Sequence, residues 1–86
     1  MDWLREILRD AEGPDEVLLS REGRIPGGWS PRKMIVIPYT VPQSWMEEVI
    51  SRAIFRQSVI VQVNPSQFDN LASEFSDLVI PDFKHP

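Results

Sequence analysis

Cysteine is absent from this chain of 86 residues, which removes disulfide staples, thiolate nucleophiles and cysteine-ligated zinc or iron–sulfur sites together. Histidine occurs once, as His85, on a tail bounded by Pro81 and Pro86, where catalytic geometry would be hard to hold. The same shortage leaves a metal without ligands, because the acids are spread over solvated helix faces. Glu47 and Glu48 are adjacent on an expected helix and diverge by about 100°, so they do not form a carboxylate pair. Neither standard Gly-rich phosphate loop is present. These absences predict a protein that is not an enzyme and that uses no cofactor or metal. No apolar run approaches the ~20 residues of a membrane span. Asp2 stands where a secretory signal would carry positive charge, which predicts a cytoplasmic protein.

What is present describes a small folded domain. An apolar fraction of 42% and a charged fraction of 26% are near globular averages. Residues 1–86 are expected to form one domain that buries a little over ~60% of its surface on folding. The stretch Ser58-Val59-Ile60-Val61-Gln62-Val63 is its expected centre, since such a run of β-branched residues suits a parallel strand buried on both faces. Gln62, the polar interruption, then marks either an exposed sheet face or a dimer seam.

The rest of the chain falls around that strand. Asp2 is placed to cap an N-terminal helix within residues 1–12, with Trp3, Leu4, Ile7, Leu8 and Ala11 on one face, stopped by Gly13-Pro14. Residues 16–21 read as a short strand, and Glu22-Gly23 as a turn into Arg24-Ile25, making a short hairpin. Met34-Ile35-Val36-Ile37 is a second apolar strand, ended by Pro38. Ser44-Trp45-Met46-Glu47 matches a capping box that starts a helix running to about Arg56, with Glu48 and Arg52 placed as an ion pair. Asn64, Pro65 and Gln67 repeat the start signal for a helix carrying Phe68, Leu71, Ala72 and Phe75. Leu78-Val79-Ile80 is a last short strand, and 81–86 a tail. The fold class is therefore α/β: a small β-α-β-α-β core over 34–80 with a mainly parallel sheet, preceded by an N-terminal helix and a short hairpin. Strands added in one direction would place both core helices on one face. The N-terminal helix and hairpin would then cover the other face, or a second subunit would, so a homodimer is expected.

Charge is segregated. Residues 1–19 carry a net −4, residues 20–33 a net +3 and residues 34–86 a net −3. Arg21, Arg24, Arg32 and Lys33, with Trp29 among them on a Gly- and Pro-containing loop, are the candidate binding residues. Arginines beside an aromatic side chain suit phosphate contact and base stacking. They suit an acidic protein surface equally, or form a solvated loop. The carboxyl ends of the strands, with Tyr39, Thr40, Ser44, Asn64, Ser66 and Asp82, are a second candidate by topology. Helix capping already accounts for Ser44 and Asn64.

Arg56-Gln57-Ser58-Val59-Ile60-Val61, followed by a short helix closing on Leu71 to Phe75, resembles the core of the SepF-like cell-division adaptors. The likeness spans roughly residues 34–75. Ser76-Asp77 stands where that family has a glycine, and the family's final strands have no counterpart here. The resemblance implies a dimerising α/β domain that binds the tail of a tubulin-like division protein beside an amphipathic membrane anchor. From the residues themselves, the expected function is a non-enzymatic, self-associating protein-interaction module. A nucleic-acid-binding accessory protein that uses the 20–33 loop is the alternative.

Overall fold

The computed structural model describes residues 2–80; Met1 and the expected tail over 81–86, with Asp82 and His85, lie outside the described residues. Helix α1 (Asp2–Asp10) leads to strand β1 (Val17–Leu19), strand β2 (Met34–Pro38), helix α2 (Gln43–Arg56), strand β3 (Val59–Val63), helix α3 (Pro65–Glu74) and a 3-10 turn at Ser76–Leu78. The three strands are parallel in the order β1-β2-β3, with Met34 beside Val17 on one side and Val59 on the other. This is the α/β class that the apolar runs predict.

The expected last strand is reduced to a single parallel bridge between Val79 and Leu19, completed by the Ile80 amide donating to the Leu19 carbonyl. That bridge decides the layering. From β2 to β3 the chain moves outward, but after α3 it returns across the sheet to the far side of β1. With right-handed crossovers, a reversed traverse carries its helix to the opposite face. Leu4 and Leu8 of α1 and Phe68 and Leu71 of α3 therefore pack on Val17, Leu19, Met34, Val36 and Val63. On the other face, Val49 and Ala53 of α2 join Ile25 and Val41 over Leu18, Ile35 and Ile37. The expectation of both core helices on one face is corrected, and so is the argument for a dimer that rested on a bare face. Each face is covered within one chain.

The central strand is also reassigned. β1 and β2 are buried along their whole length, whereas β3 is an edge strand with Val59 56% exposed. Both apolar runs, 34–37 and 59–63, fit a two-sided strand, but among the described residues only β2 of the two has a neighbour on each side. Pro38 is tolerated there because its missing N–H lies past Leu19, the last residue of β1, where no ladder bond is lost.

The expected hairpin does not form. β1 pairs in parallel with β2, and Arg24-Ile25 makes no return strand; instead Ile25 plugs the α2-side core. Gly23, at φ 82°, turns the chain, held by its amide donating to Ser20 Oγ. The 20–33 segment thus does the work of a crossover helix. Trp3, expected on the docked face of α1, is instead 51% exposed.

Helix α2 ends at Arg56 as expected, closed by Gln57 in the left-handed region, and Arg52 pairs with Glu48 at 3.1 Å. Its start differs: Pro42 is the N-cap and no side chain caps it. The amides of Trp45 and Met46 reach the Pro42 carbonyl, so Ser44 already sits inside the first turn, too late to cap. α3 has the full capping box: Asn64 Oδ1 accepts from the Gln67 amide at 2.8 Å while Gln67 Oε1 accepts from the Asn64 amide.

Candidate interaction surface

The basic segment is tied down by acids and by α2. Arg21 pairs with Asp69 of α3 and lies 5.0 Å from the Phe68 ring centroid. Arg24 pairs with Glu22 at 3.6 Å and lies 5.2 Å from the Trp45 ring. Arg32 meets Asp15 at 3.4 Å and Glu16 at 2.9 Å, and Lys33 meets Glu16 at 3.6 Å. Trp29, at the edge of the same segment, is 38% exposed. Each of the four cations therefore already faces a carboxylate, which offsets the local +3 that stands out in the sequence. The structure does not gather them into one cluster: Arg21 leans on α3, Arg24 on α2, and Arg32 and Lys33 on the approach to β1.

Glu16 is the hub of the last group. It is nearly buried and accepts from the Glu12 amide at 3.2 Å and from Arg32 Nη2 at 2.9 Å. That amide bond, with the charges of Lys33 and Arg32, holds its carboxyl below the usual carboxylate range against the opposing effect of burial.

The far half of the loop is fastened by α2. Arg52 Nη1 donates to the carbonyls of Pro26 and Trp29, Arg56 donates to the Ser30 carbonyl at 3.3 Å, and Ser58 Oγ donates to the Pro31 carbonyl. The loop that reads as a free, glycine-containing segment is held by three side chains from the α2–β3 junction. This was hidden in the sequence, because 23 to 27 residues separate the partners. At the strand ends, Tyr39 is exposed and Asn64 is engaged in capping.

A different surface is open. Among the described residues, β3 has no strand on its outer side. The Val59 amide and the Val63 carbonyl bond toward β2, so by alternation Ile60 and Gln62 point their N–H and C=O groups outward. Beside this edge, α2 exposes Ile50 and, at 70% exposed, Ile54. Ile50, Ala53, Ile54, Gln57, Ser58 and Ile60 line a shallow apolar groove of about 430 Å³ between α2 and the edge. The signal for this surface lies in α2 itself: Ile50 and Ile54 extend the apolar stripe beyond what one sheet covers. Among the described residues, no helix is long and apolar enough to cross a membrane.

Comparison of the chain with known protein families, with characterised proteins and with solved structures finds no match in any of the three.

Proposed function

We propose that this chain is a non-catalytic protein-interaction module, acting in the cytoplasm, whose working surface is the open β3 edge together with the adjoining side of α2. The observation that carries the reading is the juxtaposition of free backbone groups at Ile60 and Gln62 with the exposed side chains of Ile50 and Ile54. Contiguous apolar surface beside unpaired strand groups favours partner contact, since the backbone supplies hydrogen bonds and the side chains supply burial. The pairing of Arg21, Arg24, Arg32 and Lys33 with acids favours this surface over the basic loop as the point of recognition.

The test is a photo-reactive phenylalanine analogue placed singly at position 54 and, as a control, at Glu6 on the exposed side of α1, with each chain expressed in cells. Protein adducts formed at position 54 well above those at position 6 are the expected result. Equal yields at the two positions overturn the reading.

A further inference from the structure

The partner of this surface is a second copy of the same chain: we infer that β3 pairs antiparallel with β3 of a second molecule about a two-fold axis passing through Val61. The inference rests on the reading of the β3 edge as the working surface and names its occupant.

Three features select a copy of this chain. The first is the backbone. Outward groups on Ile60 and Gln62 lie symmetrically about Val61, so a two-fold axis there brings Ile60 of each chain opposite Gln62 of the other. Each such pair exchanges both of its N–H···O bonds, and the outward groups of both strands are satisfied. Gln62, exposed and uncommitted to the core, then belongs to the seam.

The second is shape. The same patch presents a groove and, on the groove's own wall, the largely exposed side chain of Ile54. An isologous contact needs both halves on one surface, because every residue meets its counterpart through the axis. With the axis normal to the sheet, both α2 helices lie on one face, and Ile50 and Ile54 of each approach the other's groove.

The third is the absence of edge protection. β3 runs Val-Ile-Val-Gln-Val with no charge and no proline, and its five residues pair with β2 without a bulge. Exposed edges that are meant to stay single are usually blunted by lysine, proline or a bulge. On a chain of net charge −4, this edge is an uncharged seam through which two copies meet without placing like charges together. The result is a continuous sheet of six strands with helices on both faces.

The chain's lack of cysteine makes the register directly testable. Position 61 faces its own symmetry mate across a non-hydrogen-bonded pair, with Cα atoms about 4.5 Å apart, inside the span a disulfide bridges. Position 59 lies opposite position 63, so two copies of residue 59 are roughly 13 Å apart, beyond that span. Val59 is nonetheless the more exposed of the two. Random collision therefore favours a Val59→Cys disulfide, and the two-fold register favours a Val61→Cys disulfide.

The experiment uses the full chain, with sedimentation from micromolar to millimolar concentration and mild oxidation of the two single-cysteine variants, their folds checked by circular dichroism. A monomer–dimer equilibrium and disulfide dimers formed much faster by Val61→Cys are expected. Ile54→Glu, at a site already open to solvent, is expected to keep the fold and to weaken association on the order of a hundredfold by placing charge in the seam. A chain monomeric throughout the range overturns the inference, as does faster crosslinking by Val59→Cys or unchanged association of Ile54→Glu. If the chain is monomeric while position 54 still forms protein adducts in cells, the second-copy inference fails and the interaction reading stands.

Discussion

Arg52 donates to the carbonyl oxygen of Trp29 at 3.1 Å, and the same guanidinium holds Glu48 and the Pro26 carbonyl. One side chain of α2 thus fixes the loop that replaces a helix between β1 and β2. Arg52→Met keeps the aliphatic stem and removes every one of these bonds. A loss of about 1–2 kcal/mol is expected, at the lower end for bonds to a charged group because the site is partly solvated. Limited proteolysis should find new cleavage within 26–31, and chemical denaturation should give the loss. An uncleaved loop would show that Arg56 and Ser58 hold it unaided.

Gly23 and Gly28 separate conformational strain from steric conflict. Both have positive φ, at 82° and 86°. A Cβ at Gly23 would stand 2.6 Å from Val41 Cγ1 and 3.2 Å from Trp45 Cβ, whereas none of the described residues lies within 4 Å of one at Gly28. Gly28→Ala should cost about 1 kcal/mol from backbone strain alone. Gly23→Ala should cost more, roughly 2–4 kcal/mol, because Val41 is a core residue and must move. Equal losses in urea melts would contradict the close contact.

Glu16 gives the domain an acid-sensitive joint. Its carboxyl is held below its ordinary value by the Glu12 amide, then by Lys33 and Arg32. A carboxylate with a lowered folded-state pKa stabilises the fold above its unfolded value, near ~4.3, and that contribution fades as pH falls through the folded-state value. The melting temperature should therefore decline on acidification below about pH 4–5. Glu16→Gln should melt lower at neutral pH and show a shallower decline over that range. A parallel pH profile for the two proteins would rule out this role.

The two core helices start differently, and paired substitutions expose it. Asn64 caps α3 through the Gln67 amide, so Asn64→Ala should cost about 1 kcal/mol. Ser44 is exposed and makes no cap bond, so Ser44→Ala should change stability by no more than about 0.5 kcal/mol. Thermal denaturation of both variants distinguishes a true cap from a matching sequence.

The two motifs look alike on paper, and their different outcomes show what local pattern carries. Asn64-Pro65 has the start of its helix imposed by the proline ring. In α2 the proline, Pro42, is instead the extended N-cap itself, two residues before the serine that matches the capping pattern. Helix α2's end at Arg56, the Glu48–Arg52 pair and the apolar stripe of α3 were legible because each depends on residues three or four apart. The loop's anchoring was not legible, since Arg21 meets Asp69 and Arg52 meets Trp29 only after the chain has folded.

By itself the sequence determined the α/β class, the helices and the parallel apolar strands, because hydrophobic period and turn residues act over a few positions. Only the tertiary structure decided which of two equally apolar runs lies inside. The contact of Val79 with Leu19 sends the chain back to the far side of β1, which buries β2, puts α2 and α3 on opposite faces and leaves β3 at the edge. Strand order is set by non-local pairing, and no local pattern encodes it; the same residues that read as the centre of a sheet become its open border.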